Sequence, residues 1–207
     1  MKGALNVTAA FLFLISACIW LVTVIAIPLF AAWAHFMNLA HVAGMSFATL
    51  MHNFLVLMAY LYSPWQKVVM MPNFVSSTAG ATHFADVQHL FVFNLVVLLL
   101  TAIPAVRFLG RLFRERRMYV LWRQALWGIF IPIIAAVAMA FNFNAVFIGF
   151  HELLFRNSDW LFDPRTDPVI NVLPESYFAA CFVLFILMFL GIMAFILYRA
   201  RRDAVDG

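Results

Sequence analysis

Apolar residues run along this chain in four long stretches, about residues 8–30, 89–106, 120–141 and 177–198. A helix needs roughly 20 such residues to cross the hydrocarbon of a bilayer. A transmembrane barrel would instead show alternating segments of about ten residues, and no such alternation is present. The pattern predicts an all-α membrane protein with four transmembrane helices. No repeat, low-complexity tract or long linker interrupts it, so residues 1–207 are expected to form a single integral membrane domain.

Between the first two runs, residues 34–62 are apolar but carry His35, Asn38, His41, Ser46, His52 and Asn53. These predict an interfacial or re-entrant helical element rather than a fifth crossing. Tyr60, Tyr62 and Trp65 suit the headgroup level, where amphipathic rings gather. Ser63-Pro64 and Met71-Pro72-Asn73 mark turns. Thr82 is the expected N-cap of a helix that begins near His83 and continues as the second crossing. Pro28, Pro104 and Pro132 fall within or beside crossings, where neighbouring helices satisfy the freed backbone groups.

Composition strengthens the membrane reading. Only 11% of the 207 residues are charged and 66% are hydrophobic, with a mean hydropathy of +0.99; soluble domains carry about 25% charged residues. The net charge of +4 has a direction along the chain. Arg107, Arg111, Arg114, Arg116, Arg117 and Arg123 lie around the second connection, and Arg199, Arg201 and Arg202 follow the fourth run. Lys2 precedes the first run, whereas the other two connections hold only Lys67, Arg156 and Arg165. The positive-inside rule then places both termini in the cytoplasm and residues 31–88 and 142–176 outside. No nucleic-acid-binding motif accompanies the arginines, so nucleic acid is not expected as a partner.

Cys18 and Cys181 sit inside apolar runs and read as small buried residues rather than a disulfide pair. Ile15-Ser16-Ala17-Cys18 has the look of a lipoprotein processing box, and Ala31-Ala32-Trp33-Ala34 that of a cleavage site. The apolar run around them is longer than the 7–15 residues usual in a signal peptide, so a retained first helix is expected.

Polar chemistry concentrates in residues 150–178, which hold five of the nine acidic residues: Glu152, Asp159, Asp163, Asp167 and Glu175. His151, Arg156, Asn157 and Trp160 lie in the same segment. A second group opens the second crossing, where His83 and Asp86 stand three apart on neighbouring helical faces. Asn94 extends the His83 face, and His89 stands three residues beyond Asp86. Both groups fall on the outward side. Histidine exchanges protons near neutral pH, and a carboxylate such as Asp86 or Glu152 can hold an imidazole in one tautomer. Asn157, Arg156 and Trp160 supply donors for a developing oxyanion. The aromatic rings Phe155, Trp160 and Phe178 serve equally well as membrane anchors, and His35, His41 and His52 read as satisfied interfacial residues.

Other chemistries lack their signatures. His151-Glu152 begins a zincin motif, but Phe155 stands where its second histidine belongs, and no thiolate cluster exists, so no metal is expected. There is no G-x-S-x-G elbow and no glycine-rich phosphate loop. A metal-dependent membrane hydrolase using the same histidines, and a non-enzymatic small transporter or assembly protein, are the competing readings. A transporter would carry ionisable groups at mid-membrane depth, and these crossings hold almost none.

With His83-Phe84-Ala85-Asp86-Val87 opening the second crossing, and with the long 150–178 segment, the chain resembles the bacterial lipoprotein intramolecular transacylases. These are integral plasma-membrane proteins of Gram-positive bacteria. The resemblance covers most of the chain. It implies an acyltransferase that needs no cofactor and acts on a diacylglyceryl-modified lipoprotein at the outer leaflet, among membrane lipids. The sn-2 acyl chain moves to the α-amino group of the lipoprotein's own N-terminal cysteine, which leaves a lyso-form lipoprotein. Because the nucleophile belongs to the substrate, the missing serine or cysteine nucleophile is accounted for. On this reading His151 is the general base, His83 a second acid/base or oxyanion partner, and Asp86 orients an imidazole. Asn157, Arg156, Trp160 and Asn94 bind substrate or stabilise charge.

Overall fold

The computed structural model describes residues 2–205, the side chain of Lys2 excepted. The elements are α1 (Lys2–Phe36), α2 (Leu39–Val42), α3 (Phe47–Leu61), α4 (Thr78–Arg114), α5 (Trp122–Phe141), α6 (Phe143–Leu154) and α7 (Glu175–Val205). Short 3₁₀ turns occupy Met118–Leu121 and Pro168–Val172, and the described residues form no strand. Four helical segments are long and apolar enough to cross a membrane: Gly3–Phe36, Thr78–Arg114, Met118–Phe141 and Glu175–Val205. The four expected crossings are therefore present. The helices outrun their apolar stretches: α4, with 37 residues, is about 55 Å long, well beyond a hydrocarbon core of about 30 Å.

Residues 34–62 resolve into the last turn of α1, the short α2 and the 15-residue α3, too short to cross. Asn38 and Gly44 take left-handed conformations at φ 52° and 63° on either side of α2, which reverses the chain in a few residues. Ser46 caps α3, its hydroxyl accepting from the Thr49 N–H at 3.1 Å.

Two sequence expectations need correction. The second crossing starts at Thr78, and its cap is Ser77 rather than Thr82. The Ser77 hydroxyl accepts from the Gly80 N–H at 3.0 Å, while the Thr82 hydroxyl donates to the Thr78 carbonyl inside the helix. Tyr60 is no headgroup anchor: it is 1% exposed, because it continues the buried stripe Leu50, Asn53, Phe54 and Leu57 of α3. Trp65, past the helix end, is 78% exposed, and Tyr62 shares a hydroxyl–hydroxyl hydrogen bond with Thr23.

The chain divides into two compact units. The first comprises residues 1–22, 94–142 and 182–207. Small residues, Ala10, Cys18, Ala105, Ala125 and Ala200, are fully buried there and allow close helix packing. Asp203, 2% exposed, accepts from the Met118 N–H and from Arg199, whose guanidinium lies 4.2 Å over the Phe113 ring.

The second unit comprises residues 23–93 and 143–181. Phe30 stacks on Phe54 at 3.9 Å, and Tyr177 meets both edge-on while donating to the Ala26 carbonyl at 3.1 Å. Three polar ties hold its non-helical stretches. The buried Asn53 amide pairs reciprocally with Asn73, giving to its side chain and accepting from its N–H. The Gln88 amide group donates to the carbonyls of Tyr60, Ser63 and Gln66 at 2.8, 2.9 and 3.1 Å, closing the end of α3. The third tie joins Asp167, 2% exposed, to the start of α4. Its Oδ1 accepts from the Ser77 N–H at 2.8 Å and its Oδ2 from the Thr166 hydroxyl at 2.8 Å. Cys18 and Cys181 are free thiols, the first buried and the second half-buried.

Candidate active site

The two histidine groups meet inside the second unit. His83, on the second turn of α4, and His151, near the end of α6, lie with ring centroids 5.8 Å apart although 68 residues separate them. Aromatic rings enclose the pair. Phe155 and Phe162 stand edge-on to His83 at 4.9 and 5.5 Å. Phe147 and Trp160 lie against His151 at 4.2 and 4.8 Å, with Phe150 and Phe155 at 5.7 Å.

The helix explains part of this shell. Phe147, His151 and Phe155 follow one another at i and i+4, which stacks them along one face of α6 and its first following residue. The chain then leaves the helix. Asp163 and Arg165 pair across a turn at 2.6 Å, and those hydrogen bonds hold the Asp163 carboxyl below the usual carboxylate range. The Pro168–Val172 turn is buried at Val169 and Val172, anchoring the far end of the loop.

Hydrogen bonding fixes the state of one ring. Nδ1 of His151 lies 2.7 Å from the Phe147 carbonyl oxygen. A carbonyl only accepts, so Nδ1 carries the hydrogen and Nε2 of neutral His151 is left with the lone pair. Burial among the aromatic rings pushes the His151 pKa below its usual value, an effect larger than the opposing pull of the Phe147 carbonyl. The ring is therefore neutral at pH 7. His83 is 9% exposed and its Nδ1 is buried with no partner among the described residues. An orphaned buried nitrogen is costly, which marks it as a place where a ligand's polar group can complete the bonding.

Asp86 is half-buried and accepts from the Asn157 amide at 3.0 Å. Asn157 also receives the Asp159 N–H on its side-chain oxygen and the Trp160 indole N–H on its carbonyl, the latter at 3.1 Å. Arg156, Glu152 and His89 are exposed. Asn94 belongs to the other compact unit, where its amide donates to the Ser16 carbonyl at 3.2 Å. Phe147 and Phe162 escaped the sequence reading. The i−4 position of Phe147 relative to His151 was available as a clue; Phe162 has none, since its approach to His83 depends on the loop. Among the described residues no group of three or more metal-ligating side chains occurs.

The chain matches, over residues 4–178, the model of the family described as lipoprotein intramolecular transacylase. A solved structure of the membrane-integral lipoprotein intramolecular transacylase from Bacillus cereus is similar at a TM-score of 0.85 and 27% identity, covering 100% of this chain and 97% of that one. A variant of that protein with a histidine replaced by arginine gives a TM-score of 0.75 at 27% identity, covering 98% and 92%. A histidine-to-alanine variant gives 0.74 at 26%, covering 99% and 96%. No curated protein matches the chain.

Proposed function

The chain belongs to the lipoprotein intramolecular transacylase family, a multi-pass membrane acyltransferase acting on lipoproteins, and we propose that His151 and His83 carry its chemistry. The substrate in this reading is a diacylglyceryl-modified lipoprotein, and the sn-2 acyl chain passes to the α-amino group of its N-terminal cysteine. The observation that supports it is the imidazole pair at 5.8 Å, with the Nε2 lone pair of His151 left free by the Phe147 carbonyl.

The α-amino nitrogen attacks the ester carbonyl while Nε2 of His151 accepts the proton it sheds. The tetrahedral intermediate collapses with expulsion of the glyceryl oxygen, which takes the proton back from an imidazolium. One N–H is lost and one O–H gained, so no net proton is consumed. His83 is the second acid/base or the oxyanion's partner through its unpaired Nδ1. Arg156 and the second amide hydrogen of Asn157 stabilise the charge on the intermediate. An α-amino group of pKa about 8 is free in useful amounts at neutral pH, so a modest base suffices. Donor and acceptor share one molecule, and well-oriented intramolecular reactions reach effective molarities of about 10⁵ M or more. The aromatic shell serves to exclude water, which would otherwise hydrolyse the ester. The arginine distribution supports an outer-leaflet site, with the arginine-rich connection in the cytoplasm.

Transacylation leaves the lipoprotein's mass unchanged, whereas hydrolysis removes one acyl chain. Tandem mass spectrometry of a reporter lipoprotein from cells with and without this protein is expected to find an isomer carrying one N-acyl and one ester chain. Loss of an acyl chain without N-acylation would mean a hydrolase instead.

The depressed His151 pKa predicts the pH profile. The Nε2 lone pair is present above that pKa and lost as pH falls through it, so kcat/KM is expected to show an acid-side inflection below about 6.5. A second inflection, from the substrate amine, belongs near about 8. Trp160→Ala admits water to the His151 ring and is expected to move the lower inflection up toward the unperturbed value while leaving the upper one in place. A lower inflection unmoved by that change would count against burial as its cause.

A further inference from the structure

We propose that Asp86 is a positioning residue that acts on His151 through Asn157 and Trp160, and hydrogen-bonds to neither imidazole. The inference rests on the reading of His151 as the base. Its ground is where the hydrogen bonds go. Asp86 Oδ2 receives the Asn157 amide at 3.0 Å, the Asn157 carbonyl receives the Trp160 indole N–H at 3.1 Å, and the Trp160 ring lies 4.8 Å from His151 at an interplanar angle of 30°. Those three links tie α4 to the loop after α6 and press an aromatic face onto the catalytic ring.

On His151 the orienting position that a carboxylate would take is already filled, and on His83 no carboxylate takes it. Nδ1 of His151 is engaged by the Phe147 carbonyl, and Nδ1 of His83 has no partner among the described residues. Asp86 stands three residues from His83, close enough in sequence to have suggested an imidazole partnership, yet the hydrogen bond it accepts, on Oδ2, comes from a residue 71 positions away. A carboxylate suits that task. Asn157 keeps its carboxamide oxygen for the Asp159 N–H at 3.2 Å, so it meets Asp86 as a donor, and a charged acceptor makes the stronger bond.

The two roles respond differently to exchange of the amide and the carboxylate. In the tether, Asp86→Asn keeps an acceptor oxygen for Asn157, so its effect on kcat is small. Asn157→Asp alone sets two carboxylates against each other and pushes the backbone carbonyl that holds Trp160 away from α4, lowering kcat roughly tenfold or more, as small misplacements of catalytic groups do. The double variant Asp86→Asn with Asn157→Asp rebuilds the bond with donor and acceptor reversed and is expected to recover most of that loss, the signature of direct coupling in a double-mutant cycle. The acid-side inflection of the pH profile stays in place in Asp86→Asn. The experiment compares N-acylation rates of the purified variants on a diacylglyceryl lipopeptide, with thermal unfolding followed in parallel. A severe loss in Asp86→Asn with a shifted inflection, or a double variant no better than Asn157→Asp, overturns the tether. His151→Ala in the same assay separates the two levels: if it keeps full activity, the base assignment itself falls; if its rate drops by about 10²-fold or more, the swap result judges the tether alone.

Discussion

Replacement of His151 by Ala is expected to lower the rate of N-acylation by about 10²–10⁴-fold, the usual contribution of a positioned general base. The protein should still fold. His151 is only half-buried, and the bond it forms joins its ring to a carbonyl on its own helix, so its loss removes no hydrogen bond between elements. The rate is not expected to fall to zero. The substrate still brings ester and amine together, and the effective molarity of that encounter survives the mutation. A more specific consequence follows from the tautomer. His151→Gln retains polarity without an imidazole lone pair, and it should be as slow as the alanine variant. An external base of imidazole size, supplied to the alanine variant, should restore part of the rate in proportion to its unprotonated fraction. Rates are read as the appearance of N-acyl lipopeptide by tandem mass spectrometry. Full activity in the alanine variant, with normal unfolding behaviour, would remove His151 from the mechanism.

How far the sequence could be read depended on the range of the interactions that decided each feature. The four crossings are legible because hydrocarbon imposes a length and a composition on any helix that spans it, and the apolar runs meet both. The histidines stood out for the same reason: ionisable groups in so apolar a chain need an explanation. Tyr60 and the cap of α4 were decided differently. Thr82 and Ser77 are both acceptable caps by local rules, and the choice falls to Ser77 because Asp167, 90 residues away, receives its N–H. Tyr60 reads as an interfacial ring until the stripe of α3 is extended to its last turn. The fixing of the His151 tautomer by Phe147 was hidden for another reason, since the partner is a backbone carbonyl that every residue carries. Asp86 stands three residues from both His83 and His89, and the sequence offered it either imidazole. Its bonded partner lies on an irregular loop whose path no periodicity describes.

That same loop carries the second large expected effect, at Gly80. Helix propensity alone says that Gly80→Ala, in the first turn of α4, should stabilise by about 1 kcal/mol. Packing says the reverse. A Cβ at position 80 would stand 2.1 Å from Oδ1 and 2.9 Å from Cγ of Asp167, separations that real side chains do not adopt. Asp167 cannot easily withdraw: it is 2% exposed and holds the Ser77 N–H and the Thr166 hydroxyl. Either the carboxylate gives up those bonds and leaves buried polar groups unpaired, at about 1–3 kcal/mol each, or the first turn of α4 shifts and loses its Ser77 cap, at about 1 kcal/mol. The sum outweighs the propensity gain, and a net destabilisation of about 2–4 kcal/mol is expected. For a chain of this size that corresponds to a fall of roughly 5–15 °C in the unfolding midpoint of the detergent-purified protein. Activity should fall with it, because Asp167 anchors the loop that presents Trp160 to His151. Adding Asp167→Ala removes the obstructing carboxylate, so the double variant should lose less than the sum of the two single changes. A midpoint unchanged or raised in Gly80→Ala would mean that the carboxylate yields without cost and that the close approach at Gly80 does not hold the loop.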